Sequence, residues 1–395
     1  MAIKSTTIES ESSSRLLFID NLRTSLIALV VLHHVAVVYG AVVTPFYYFE
    51  PPFTDPLAFL ALLVFALFNQ AWFMGALFLL SGYFTPSSFD RKGLGYFLKD
   101  RLLRLGIPLI IFVFVLSPIS WTGLWQVPAT LTGITNPLTW QAYPKLLDIG
   151  RMGPLWFVTM LLIFNFGYAA WRMLMRKRKS EAIIESSPPG YLSIVVFILT
   201  LAGVSYLLRM VIPLGKDVLG FPTLAYLPQY LSLFVLGAVA SQRNWFRTLP
   251  SSMGIVGLGT ALVVGVLLFP LAFSGHLFSL EITPALTNFT GNGQWQSAVY
   301  VLWDSAFAVG MCLGALTLFR RFCNGQGKLG RFLSQHSYTV YIIHIPIVVF
   351  LTAFVLKGIE LVPLLKFGIV AVIAVPVSFT IAYIVRKIPL ASRIL

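Results

Sequence analysis

Ten stretches of mostly apolar residues, each long enough to cross a bilayer as a helix, divide the chain. They lie at about 22–42, 57–84, 105–126, 153–174, 191–212, 223–241, 251–272, 294–319, 337–356 and 361–385. A spanning helix needs roughly 20 consecutive apolar residues, so each segment qualifies. The second is long enough to tilt or kink. Of the 395 residues 57% are hydrophobic and 11% charged, more apolar surface than a water-facing shell can hide. The expectation is an all-α integral membrane protein with about ten transmembrane helices.

The formal net charge of +14 raises the question of nucleic acid, and the positions of the charges answer it. Of 28 Lys and Arg residues, 22 fall in the N-terminal segment, in alternate loops or at the C-terminal end, and only Lys145, Arg151, Arg209, Lys216, Lys357 and Lys366 fall on the other side. Cytoplasmic loops of membrane proteins collect such residues. The asymmetry predicts both termini in the cytoplasm and an even number of spans, and it leaves no surplus charge for nucleic acid. The stretch "SSFDRKGLGYFLKDRLLRLGIP" alternates apolar and basic residues at helical spacing, as an interfacial amphipathic helix after the second span would. "RKRKSEAIIESSPPG" reads as a solvated linker. Residues 1–16 form a polar tail without a signal-peptide core, 17–388 the membrane domain and 389–395 a short C-terminal tail. Cys312 and Cys323 make no disulfide framework. A G-x-G-x-x-G match at Gly325, Gly327 and Gly330 follows a membrane segment rather than a strand, and carries no nucleotide fingerprint.

Ionisable groups inside spans are costly and face the bundle interior, which singles out His33, His34, Arg209, Asp304 and His344. In "FIDNLRTSLIALVVLHHVAVVYG", Arg23 and His34 share a helical face about 16 Å apart along the axis, with Asp20 near the same stripe and His33 turned about 100° away. This suits a molecule bound at the rim that reaches into the membrane. It equally suits a local Asp–Arg pair and an unrelated buried histidine. Arg101 and Arg104 share a face at the membrane boundary, fitted to phosphate or pyrophosphate or, more simply, to lipid headgroups. Tyr341 and His344 are i, i+3 neighbours, with His336 nearer the start of the same span. Asp304 needs a partner such as Arg209, a histidine or water. Trp156 reads first as an aromatic-belt anchor.

Taken together, "IDNLRTSLIALVVLHH", "RLLR", "PLWF" and "SYTVYIIH" resemble recurring stretches of the acyltransferase-3 family of ten-helix membrane O-acyltransferases. Arg23 and His34 match its Arg-x10-His motif, Arg101 and Arg104 its R-x-x-R, and His33 lies outside both. The first motif opens Ile-Asp rather than Leu-Asp, and "GPLWF" is less polar than in many relatives. Only ten residues follow the last span, so the single-domain, glucan-succinylating and sugar-acetylating members are the expected comparison.

The resemblance implies transfer of an acyl group from cytoplasmic acyl-CoA, as co-substrate, to a hydroxyl of a carbohydrate or other hydroxylated acceptor, in the inner membrane. It implies donor phosphates at Arg23, Arg101 and Arg104, and His34 as base or acyl carrier with Arg23 held by Asp20. Tyr341, His344, Trp156 and Asp304 are then candidates for the acceptor side, with no metal and no bound cofactor. The rival from another class is a secondary transporter, but the sequence shows no clear internal repeat and no matched pair of interrupted helices. A degenerate, non-catalytic scaffold would have little reason to keep Arg23, His34 and the R-x-x-R pair together.

Overall fold

The computed structural model describes residues 16–40, 55–120, 152–175, 186–274, 288–355 and 359–395. The polar tail up to residue 15, Lys145, Arg151 and the basic run 176–179 lie outside the described residues. Among those described, the regular elements are helices, with one isolated bridge between Val218 and Phe221. The long helices are α1 (Leu17–Val38), α2 (Pro56–Arg101), α3 (Trp156–Leu174), α4 (Tyr191–Val211), α5 (Leu227–Gln242), α6 (Ser251–Ala272), α7 (Trp295–Phe322), α8 (Lys328–Phe350) and α9 (Pro363–Val385).

Nine helical runs among the described residues are long and apolar enough to cross a membrane, where the sequence predicts ten segments. One of the nine accounts for the difference. Pro56–Ser120 is continuous over 65 residues, about 97 Å of helix for a hydrocarbon core of about 30 Å. Gly93 interrupts it, with φ 71° and ψ 169°, a conformation glycine adopts without a Cβ clash. The run therefore holds two arms, and the amphipathic stretch read from the sequence lies around the break. There Phe97 is buried while Tyr96 and Lys99 are exposed.

Two close crossings set the positions of the helices that matter below. A Cβ at Gly82 of α2 would overlap the Phe234 carbonyl oxygen of α5, and one at Gly237 of α5 would overlap that of Leu79. Backbones approach this closely in lipid only over small residues. The centre of the bundle is α1, which touches α2, α7, α8 and α9. Its apolar residues point in all directions because it has neighbours on all sides.

The ends of the bundle can be told apart. Asn21 near the start of α1 donates to the carbonyls of Cys323 (2.6 Å) and Gly325 (3.0 Å), between α7 and α8. The start of α1, the end of α7 and the start of α8 therefore lie at one end, which also carries Arg320, Arg321 and Lys328. It is called the basic end here.

Candidate functional site

One face of α8 gathers the stretches that the sequence kept apart. Tyr338, Tyr341 and His344 stand at i, i+3 and i+6, and each reaches a different motif. The Tyr338 hydroxyl donates to the Arg104 carbonyl at 2.6 Å. That carbonyl is available because the residue four positions on, where a helix would supply its N–H, is Pro108. Arg104 also lies in a π-helical turn, Leu102–Gly106, of the kind that clusters at functional sites. The Tyr341 hydroxyl donates to the Pro154 carbonyl, holding the Gly-Pro-Leu-Trp segment at the head of α3. His344 Nε2 lies 3.1 Å from His34 Nδ1 on α1.

The proton positions in the histidine pair follow from the acceptors around it. His344 Nδ1 faces the Tyr341 carbonyl at 2.7 Å, so that nitrogen carries the hydrogen and Nε2 carries the lone pair. His34 Nδ1 faces both that lone pair and the Val30 carbonyl, at 2.8 Å, so it too is the protonated nitrogen. The lone pair of His34 is thereby assigned to Nε2. His344 is fully buried, whereas His34 is partly exposed. His33 turns aside, its ring 5.0 Å from that of Phe73 on α2.

Toward the basic end, Asp20 holds Arg23 at 3.0 Å with the guanidinium side chain 37% exposed, so the cation is oriented and still reachable. Asp100 pairs with Lys92 at 2.7 Å and with Arg104 at 3.2 Å, while Arg101 lies over the Phe97 ring at 5.0 Å. The single carboxylate of Asp100 among Lys92, Lys99, Arg101 and Arg104 leaves this patch positive. From Tyr338, at the level of Arg104, to His344 is six residues, about 9 Å of rise. The cationic end and the imidazole pair in the bundle interior are thus about 9 Å apart along α8 and about 16 Å apart along α1, from Arg23 to His34.

Two predicted residues have other surroundings than the sequence suggested. Asp304 on α7 pairs with Arg209 on α4 at 2.6 Å, both almost completely buried, and no described contact joins them to the histidines. Of the partners the sequence offered Asp304, the structure selects Arg209. Trp156 is not a belt anchor, because it is only 6% exposed. It stacks on Tyr230 of α5 at 5.4 Å, since the close α2–α5 crossing brings Tyr230 against the head of α3. Sequence reading missed Tyr338 and the direct contact between His34 and His344. The signal available for the first was the i, i+3, i+6 stripe on one helix. Nothing in the sequence pairs α1 with α8. Among the described residues no group of three or more His, Cys, Asp or Glu could hold a metal ion.

A bundle of membrane-crossing helices with these converging motifs defines a polytopic membrane acyltransferase. The model of the acyltransferase domain matches residues 16–383, nearly the whole chain, and the chain belongs to the acyltransferase-3 family. Membership implies an acyl donor and a hydroxylated acceptor. Among its relatives are the glucans biosynthesis protein C of Salmonella typhi and that of Salmonella typhimurium, each 25% identical over 363 residues, covering 88% of this chain and 86% of theirs. The protein of the same name from Salmonella agona is similar to the same extent. No solved structure matches.

Proposed function

We propose that the protein moves an acyl group, acetyl or succinyl-like, from acyl-CoA at the basic end to a hydroxyl of a carbohydrate acceptor, with His34 as the general base. The observation that carries this reading is the 3.1 Å contact of His344 Nε2 with His34 Nδ1, which orients the His34 ring and assigns its lone pair to Nε2. In the step proposed, His34 Nε2 takes the proton of the acceptor hydroxyl as its oxygen attacks the thioester carbonyl. The carbon–sulfur bond then breaks, and the thiolate leaves with the proton returned by the imidazolium. While His34 is doubly protonated, the His344 lone pair accepts from its Nδ1–H and stabilises the charge, the role an orienting group plays in nucleophile–base–orienter triads. Direct acyl transfer onto His34 Nε2 would use the same tautomer.

Arg23, Arg101 and Arg104 would hold the donor's phosphates, and Tyr338 fixes the backbone of Arg104 for that purpose. This reading sets the basic end and both termini in the cytoplasm of a cell's inner membrane. The relatives' name, glucans biosynthesis protein C, supports a carbohydrate acceptor. Tyr341 and His344 border the acceptor's approach, with Trp156 behind them. Asp304 serves the bundle instead.

Purified protein given labelled acetyl-CoA or succinyl-CoA and a panel of glucose oligosaccharides should form acylated sugar, and His34→Ala should abolish it in a protein that still folds. Full activity in that variant sinks the base assignment. Arg101→Ala combined with Arg104→Ala should weaken donor binding and leave acceptor affinity unchanged. Uptake of the sugar into proteoliposomes with no acyl transfer would favour the transporter.

A further inference from the structure

The helix α4 has fully buried residues in only one half of its length, the other half meeting the bundle through the half-buried Ile194 and Phe197. Its buried residues are Leu201, Ala202, Ser205 and Arg209, all in the half away from the basic end. In the other half Leu192, Val195, Val196 and Leu199 are between 49% and 78% exposed. The gap left on its inner side is a cavity of about 280 Å³, near the lower bound for ligand pockets. Ile194 of α4, Leu236 of α5, Cys312 and Leu316 of α7, and Trp245 and Phe246 of the turn after α5 line it. The lining is almost wholly apolar, which excludes a sugar or a nucleotide and suits a hydrocarbon chain.

The rim has the opposite character. The Trp245–Thr248 turn is braced by Arg320, which donates to the carbonyls of Phe246 (3.0 Å), Arg247 (2.8 Å) and Leu249. Arg243 and Arg247 flank Trp245 and Phe246 in sequence and are exposed, with the Arg243 guanidinium 5.6 Å from the Trp245 ring. The Trp245 ring nitrogen donates to the Ser186 hydroxyl at 3.3 Å. Cys312 lies eight residues along α7 from Arg320, about 12 Å deeper. Two exposed arginines thus flank the aromatic residues that line a greasy slot at its basic end.

We propose that this cavity is a binding site for one anionic phospholipid, with a single acyl chain inserted behind α4 and its phosphate at Arg243 and Arg247. Juxtamembrane basic side chains attract anionic headgroups by about 1 kcal/mol each, so two of them predict selectivity of roughly tenfold or more over a zwitterionic lipid. The site is separate from the histidine pair and does not depend on what that pair transfers.

Native mass spectrometry of the purified full chain, titrated with phosphatidylglycerol or phosphatidylcholine, tests this. The expected result is one retained phosphatidylglycerol at about a tenth of the concentration needed for phosphatidylcholine. Arg243→Gln with Arg247→Gln, both surface changes, should remove that preference. Leu236→Trp should fill the slot and remove the retained lipid, with Cys312→Phe as a second filling variant should the first misfold. Equal retention of the two lipids by the wild type overturns the proposal. So does undiminished retention in a folded slot-filling variant. Displacement of the lipid by acyl-CoA at equal concentration would reassign the slot to the donor and overturn it as well.

Discussion

Two polar pairs lie inside this bundle, and their surroundings differ. His34 and His344 meet at 3.1 Å with one ring partly exposed and its lone pair on the ring edge away from the contact. Arg209 and Asp304 meet at 2.6 Å, sealed, with the guanidinium 4.6 Å from the Tyr226 ring and 5.6 Å from that of Tyr300. Both pairs join helices far apart in sequence, and both would be costly if either partner were alone. The difference lies in what is left over. The histidine pair assigns a lone pair to His34 Nε2, and its helices carry Arg23 and the Arg104-binding Tyr338 toward the basic end. The ion pair neutralises itself and is wrapped in aromatic rings, so it clamps α4 to α7 at the end where α4 is packed. At the other end α4 is less deeply packed. The lesson is that an ionisable residue in a membrane span marks a need for a partner, and only the partner's chemistry separates machinery from mortar.

The largest effect should come from the first pair. His34→Ala is expected to lower acyl transfer by about 10²–10⁴-fold, the usual range for a lost general base, with a smaller loss of thermal stability than breaking the ion pair causes. A large fall in melting temperature would place it with the clamp instead. The mirror experiment is Asp304→Ala, which leaves a buried guanidinium alone. It should cost about 3–5 kcal/mol of stability, read from thermal unfolding in detergent, and Asp304→Leu combined with Arg209→Met should recover most of it. Recovery of fold but not of activity in that double variant would break the comparison, because it would give the ion pair a chemical role.

Smaller effects sharpen the picture. His344→Gln retains an acceptor for His34 Nδ1–H, so transfer should fall less than in His344→Ala, with kcat rather than acceptor KM carrying the change. Identical losses in the two variants would argue that His344 matters only as filling. The smallest is Tyr338→Phe, which removes one hydrogen bond to the Arg104 carbonyl, worth about 1 kcal/mol. It should raise the donor KM several-fold and leave the acceptor KM alone.

Much of this was legible in the sequence. The number and length of the apolar segments required membrane-crossing helices, because lipid leaves a backbone no other way to satisfy its hydrogen bonds except a closed barrel. Periodicity put Arg23 and His34 on one face of α1, and the short Asp20–Arg23 ion pair follows from i, i+3 spacing alone. The break at Gly93 and the open carbonyl before Pro108 emerged only in the structure, although the backbone rules behind them act within a turn. What the tertiary structure alone decided was long-range pairing. Residues 34 and 344 are joined across 310 positions, and 209 and 304 across 95. In lipid, greasy faces do not choose their neighbours by hydrophobicity, because the tails outside are as apolar as the helix inside. Close packing at Gly82 and Gly237, and a few polar contacts, set the arrangement. That arrangement moved Trp156 from the membrane surface to the core, sent Asp304 to Arg209 rather than to a histidine, and set His344 against His34.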